Sequence, residues 1–268
     1  MPFADRSTHR LSYETLGREG APPVLLVMGM SFSARAWGPM PERLAGERRV
    51  LVFDNRGVGA STAPRGRFRM ADLADDAAAV LHASGVGAAH VFGVSMGGMV
   101  ALELALRHPA RVRSLVLGAT LAAWKGSRKA TPLLLAELLL GGILSRHGCH
   151  ALVGRALASR ETLRRDPKAF RAWIATVGRP GARVLARQVA AVAHHDARPR
   201  LGEIRVPALV LTGDEDRLVP PENARALAEG IPGARLVVFP RAGHVFPFEA
   251  YEETVREVEG FLRSVPEA

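Results

Sequence analysis

Ser95 lies in Gly93-Val94-Ser95-Met96-Gly97-Gly98, between an apolar run, His90–Val94, and a helical pattern, Met96–Arg107. GxSxG alone is a common pattern. Between a strand and a helix it reads as a nucleophile elbow. Such a turn holds its serine in a strained backbone conformation at the strand tip. Strand and helix pass close together there, so Gly93 and Gly97 fit for steric reasons. The helix start also aims amide dipoles at the serine, which favours developing negative charge. The plainer alternative is an ordinary glycine-rich strand-to-helix turn.

A serine hydroxyl needs a base to become a nucleophile. For a serine on such an elbow, the acid follows in the chain and the histidine comes last. Of nine histidines, only His244 lies beyond the apolar run Ala208–Thr212. It sits in Arg241-Ala242-Gly243-His244, just after the run Arg235–Phe239. The acid is expected after Ala208–Thr212, where Gly213-Asp214-Glu215-Asp216-Arg217-Leu218-Val219-Pro220 offers three carboxylates. Asp216, placed ahead of Leu-Val-Pro, is preferred, with Asp214 as the alternative. An acid here would fix the imidazole tautomer and stabilise the imidazolium. Acyl transfer also needs two N–H donors for an oxyanion. The amide of Met96 is one candidate. The other is Met30, in the loop Met28-Gly29-Met30, which could instead be a simple glycine turn.

The elements that must carry these residues are short apolar runs ending in turn residues: Val24–Met28, Val50–Phe53, His90–Val94, Ser114–Leu117, Ala208–Thr212 and Arg235–Phe239. Runs rich in Val and Leu suit a parallel sheet covered on both faces. Leu11–Thr15 adds an antiparallel strand. Helical patterns such as Ala71–Ala83 and Met96–Arg107 separate the runs, which predicts an open α/β sheet with right-handed crossovers. The stretch 121–199 breaks the rhythm. It lacks a strand-like run and predicts several helices, among them an apolar one over Leu133–Leu144. Another, Gly181–Val192, carries Val184, Leu185, Val189 and Val192 on one side. The expected organisation is a core of residues 1–120 and 200–268 with a helical cap, 121–199, inserted between Ser114–Leu117 and Ala208–Thr212.

With these residues in view, the chain resembles the α/β-hydrolase superfamily over nearly its whole length. Phe53-Asp54-Asn55-Arg56-Gly57-Val58-Gly59-Ala60-Ser61 is similar to a loop of that family, and Asp196–Leu201 with Ile204 and Pro207 resembles its lead-in to the strand bearing the acid. The resemblance is nearest to capped small-molecule esterases and enol-lactone hydrolases. It implies a Ser95–His244–Asp216 triad, an oxyanion hole of Met30 and Met96, and no cofactor or metal. Asp54 and Arg56 are read as structural. Members usually carry His-Gly where this chain has Met28-Gly29, a change that keeps the backbone donor and makes the pocket floor more apolar. Met28, Phe32, Trp37, Trp124, Leu138 and Phe246 are the candidate substrate-binding residues.

Composition narrows the partners. The chain has 268 residues and a net charge of +10. Residues 121–200 hold 15 Lys and Arg against 4 Asp and Glu, so the whole surplus sits there. That balance allows an anionic substrate, an acidic acyl-carrier partner or an anionic membrane face. A solvated, arginine-rich surface is the simpler reading. No nucleic-acid motif or interleaved aromatic pattern accompanies the charge, so nucleic-acid binding is not expected. The greasy stretch Pro132–Leu144 is too short to span a bilayer and contains Glu137. The N-terminus shows no apolar signal region. Cys149 is the single cysteine, which precludes an intrachain disulfide and fits a reducing cytoplasm. His147, Cys149 and His150 lack the spacing and further ligands of a metal site and are read as a chance cluster.

The leading functional expectation is hydrolysis of a carboxylic ester or lactone of a small, largely apolar molecule. The same triad could serve a thioesterase, a C–C hydrolase, a perhydrolase or a biosynthetic cyclase. A ligand receptor without turnover is the remaining class. Fold alone does not separate them.

Overall fold

The computed structural model describes residues 1–131, 133–134, 151–175 and 181–266. Its centre is one eight-stranded sheet: β1 Phe3–Asp5, β2 Arg10–Leu16, β3 Pro23–Val27, β4 Arg49–Phe53, β5 Ala89–Val94, β6 Val112–Gly118, β7 Ala208–Gly213 and β8 Arg235–Phe239. The order across the sheet is β1-β2-β4-β3-β5-β6-β7-β8. β2 runs antiparallel to β1 and β4, and all the other pairs are parallel. This is the open, mostly parallel sheet of the α/β-hydrolase fold. All six apolar runs are strands, and Leu11–Thr15 lies within β2. The three-residue β1 is an addition that the apolar pattern did not reveal.

The continuous apolar runs follow from burial on both faces. Along β3, Leu25 and Val27 enter one core layer while Val24 and Leu26 enter the other. β4 repeats this with Leu51 and Phe53 against Val50 and Val52. The helices Met70–Ala83 and Met96–Arg107 cover the first layer. Met40–Leu44 and Tyr251–Ser264 cover the second. Each fully buried Leu or Val contributes roughly 1.5–3 kcal/mol relative to exposure. The strand order reverses between β3 and β5, and such a switch point opens a crevice at the carboxyl ends of the strands.

Between β6 and β7 lie the helices Ala151–Leu157, Arg160–Arg165, Pro167–Ala175 and Ala182–Ala193. Leu138, His147, Cys149, His150 and most of Leu133–Leu144 fall outside the described residues. No helix among the described residues is long and apolar enough to cross a membrane.

The helix Ala182–Ala193 corrects the expected apolar stripe. Leu185 and Val189 are 37% and 46% exposed, whereas Gln188 is fully buried with Ala191 and Val192. The buried face is rotated because Val184 packs onto Gly57 and the Gln188 amide oxygen accepts the Ser31 N–H at 3.2 Å. A polar obligation toward the loop after β3 thus occupies a position that hydrophobic pattern assigns to solvent.

One core group makes stability depend on pH. His90 in β5 is buried, with Nδ1 2.7 Å from the Ser114 hydroxyl. Burial first, then the positive charges of Arg48 and Arg113, push its pKa from 6.5 down to about 4. Between those values the unfolded chain binds the extra proton and the folded chain does not. Stability present above the unfolded pKa is therefore lost as pH falls toward the folded one. The loss is roughly 3 kcal/mol from this group. Urea midpoints at neutral and mildly acidic pH are expected to drop less in His90→Gln than in wild type; equal drops would remove His90 from the account.

Candidate active site

The local fold of the elbow follows from its glycines. A Cβ on Gly93 would collide with the Gly97 carbonyl, and one on Gly97 with the Val27 carbonyl. Both obstacles are backbone, so no rotamer change relieves them. This close approach leaves Ser95 at φ 57°, ψ −123°, on the positive side that L residues avoid. Four bonds hold it there: Ser95 N–H donates to Gly118 O at 2.8 Å, while its carbonyl accepts Gly98 N–H at 2.9 Å, Met99 N–H at 3.4 Å and the Thr120 hydroxyl at 2.7 Å. Strain of this kind costs on the order of 1–3 kcal/mol and persists where surroundings over-determine it. Ser31, Ser95, Ala119 and Arg241 are the non-glycine residues with positive φ among those described. They follow β3, β5, β6 and β8, so the strain gathers at one edge of the sheet.

Strand register sets the neighbours of Ser95. Val27 of β3 pairs with Gly93 of β5, so two residues onward Gly29 comes beside Ser95. A Cβ on Gly29 would lie 3.2 Å from Ser95 Cβ and 3.7 Å from its Oγ. A glycine lets the Met28–Met30 loop approach the serine closely; a larger residue would have to displace it by a few tenths of an ångström. Asn55, from the loop after β4, supports it by donating to Met28 O at 2.9 Å.

The second half of the site comes from β7 and β8, which pair through Gly213 and Phe239. His244 Nδ1 lies 2.8 Å from Asp216 Oδ2, and His244 Nε2 lies 3.0 Å from Ser95 Oγ. The sequence separations are 28 and 149 residues. Asp216 is buried, and its Oδ1 accepts the amides of Leu218 at 2.9 Å and Val219 at 2.8 Å. One oxygen is thus anchored to backbone while the other faces the imidazole. Asp214 accepts the Arg241 N–H at 2.6 Å, so it braces the loop that carries His244 from the opposite side.

The structure therefore brings Ser95, His244 and Asp216 into one hydrogen-bonded row, with Met96 opening the elbow helix and Met30 in the adjoining loop. The candidate substrate contacts are more scattered. Met28 is a correction: continuing the alternation of Val24 and Leu26 along β3, its side chain is buried in the second core layer and not in a pocket floor. Phe32 is half-buried, its ring 5.4 Å from Trp173 of the helix Pro167–Ala175. Trp124 is half-buried against the first core layer, with Lys129 Nζ 5.4 Å from its ring centroid. Trp37 and Phe246 are corrections: both belong to the second core layer. Trp37 packs on Phe92 at 4.8 Å, and Phe246 stacks on Phe239 at 5.1 Å. Each faces the underside of the sheet because its short helix closes that layer.

Sequence reasoning missed several residues here. Gln188 reaches the loop after β3, as described above. Trp173 and Phe170 meet Phe248 at 5.4 and 6.2 Å, an aromatic cluster whose sequence signal is the three-residue spacing of Phe170 and Trp173 on one helix. Glu249 accepts amide hydrogens from Ser159 and Gly243, each at 2.6 Å.

Comparison with known proteins agrees with the fold. The family model described as the α/β hydrolase fold matches residues 22–251. The sequence is 34% identical over 250 residues, 92% of each chain, to a protein of Azorhizobium caulinodans named "Putative carbamate hydrolase RutD". Among solved structures, the enol-lactonase of Burkholderia xenovorans superposes with a TM-score of 0.84 at 26% identity, covering 98% of this chain and 100% of that one. A thermophilic esterase of Thermogutta terrifontis does so at 0.80 with 30% identity, covering 96% and 94%. The chain belongs to the α/β-hydrolase fold family.

Proposed function

We propose that this hydrolase cleaves a carboxylic ester or lactone of a small, largely apolar molecule through an acyl-enzyme on Ser95. The observation that carries the reading is the 3.0 Å approach of His244 Nε2 to Ser95 Oγ, with Asp216 holding the far side of the ring. In the proposed course Ser95 Oγ attacks the carbonyl carbon and its proton passes to His244 Nε2. The amides of Met30 and Met96 hold the oxyanion. The bond to the leaving oxygen then breaks, and His244 returns the proton to that oxygen. Water, deprotonated by His244, attacks the acyl carbon, and Ser95 leaves with the proton. Asp216 keeps Nδ1 protonated throughout, so that Nε2 is free to accept. The cycle requires no metal or organic cofactor.

An apolar substrate fits the surroundings. Met30, half-buried in the loop after β3, offers flexible, polarisable surface. Phe32 and Trp124 are proposed to line the acyl pocket. Residues 121–199 are proposed to act as a helical cap over the core of 1–120 and 200–268. Its arginines are read as solvated surface, so neither an anionic substrate nor an acidic carrier partner is needed. Relatives named as an esterase and an enol-lactonase support an oxygen-ester or lactone substrate.

The test is a panel of p-nitrophenyl esters of increasing acyl length, a simple lactone and a matched thioester. Turnover of the oxygen esters or the lactone, with an optimum in acyl length, is the expected result. Turnover of the thioester alone would replace the ester reading, and silence across the panel would remove it.

A further inference from the structure

Glu249 lies outside the row of Ser95, His244 and Asp216, yet it touches both the loop that carries the base and the inserted helices. Its Oε2 accepts the Gly243 N–H at 2.6 Å, one residue before His244. Its Oε1 accepts the Ser159 N–H, also at 2.6 Å, where Ser159 caps the helix Arg160–Arg165. Two further observations place the same segments against each other. A Cβ on Gly243 would meet Ser159 N and Leu157 O within 2.9 Å, and Val245 N–H donates to Leu157 O at 3.3 Å. The segment 157–159 of the insertion is thus packed onto the base loop, and one carboxylate closes the junction. Burial holds the Glu249 carboxyl above its ordinary value, against hydrogen bonds from Ser159, Gly243 and Thr162 that lower it only in part. A carboxylate held at that cost, with two short amide bonds, is not an incidental surface acid.

We infer that Glu249 is a positioning residue for His244: its carboxylate locks the Gly243 amide to the insertion, so the aim of the imidazole depends on the seating of the helices between β6 and β7. The inference rests on His244 acting as the base, as proposed above. A carboxylate suits the junction because the two backbone groups that face its oxygens, Ser159 N–H and Gly243 N–H, are both donors and an acceptor pair satisfies both. A glutamine of the same size offers one acceptor and presents its NH₂ to the other donor. Alanine offers none. Misplacing a reacting group by about 1 Å costs on the order of 100-fold in rate.

The experiment compares wild type with Glu249→Gln and Glu249→Ala, using ester turnover, an active-site titration and the downfield proton resonance of His244 Nδ1. For Glu249→Ala, kcat per titrated site is expected to fall about 10- to 100-fold, with KM held within about twofold. Glu249→Gln, which preserves size and folding, is expected to fall between that variant and wild type. The His244 resonance should broaden or shift in the same order. Unchanged kcat per site with an unchanged resonance in Glu249→Gln and Glu249→Ala would overturn the inference. A rise in KM alone, or a loss of titratable sites with normal kcat in those remaining, would do so equally. If wild type turns over no ester, the functional reading fails; the resonance in the Glu249 variants still decides the positioning role.

Discussion

Ser95→Ala is expected to lower kcat on the ester substrate by about 10⁴–10⁶-fold while leaving the fold intact. The size follows from the row being a unit. Without Oγ there is no acyl-enzyme, and His244 is left aimed at an empty position. What remains is the binding of substrate and the amide donors of Met30 and Met96. The fold survives because the strained turn is held by the backbone of Ser95 and by Gly93, Gly97 and Thr120, not by the hydroxyl. Removing a half-buried hydroxyl whose partner is an imidazole should change the melting temperature little. His244→Ala should match Ser95→Ala in rate within an order of magnitude, since either change removes the same proton transfer. Steady-state turnover beside a thermal melt checks both, and near-wild-type activity in folded Ser95→Ala would end the assignment.

Asp216→Asn is expected to cost about 10³–10⁴-fold in kcat, with geometry nearly unchanged. The two oxygens of Asp216 have different duties. Oδ1 accepts from Leu218 and Val219, so an asparagine keeps its oxygen there and must turn its NH₂ toward His244 Nδ1. Nδ1 then has to accept, the ring proton moves to Nε2, and Nε2 no longer takes the proton of Ser95. The loss arises from the wrong tautomer in an otherwise intact site. Asp214→Asn is the control: its carboxylate accepts Arg241 N–H and has no contact with the imidazole in the row. Rates for both variants at neutral pH, normalised to active-site titration, separate the two acids. Equal losses would return the choice between them to the open state in which the sequence leaves it.

That choice marks how far sequence carries. The elbow is legible because its constraint is local: Gly93, Ser95 and Gly97 sit within five residues, and the steric need for small neighbours is written beside the nucleophile. His244 is legible from topology, since a loop after β8 reaches the same sheet edge as a loop after β5. The sheet is legible because burial on both faces makes its strands continuous apolar runs. Three-residue β1 is too short to leave such a trace. Gln188 defeats the apolar pattern because its neighbour is a backbone N–H in a loop 157 residues away. Glu249 is hidden for the same reason: one of its donors, Ser159, is 90 residues distant. Trp37 and Phe246 were misplaced because an aromatic near a strand end has two faces of the sheet available, and position along the chain does not say which.

The most direct test of the account is to trap the nucleophile. Wild type, Ser95→Ala and His244→Ala would each be exposed briefly to an activated alkyl phosphonate and examined by intact mass and peptide mapping. The account predicts one adduct per wild-type molecule on the peptide bearing Ser95, none in Ser95→Ala, and sharply slowed labelling in His244→Ala. Ester turnover by a wild-type protein whose Ser95 stays unlabelled, or an adduct that persists in Ser95→Ala, would contradict it.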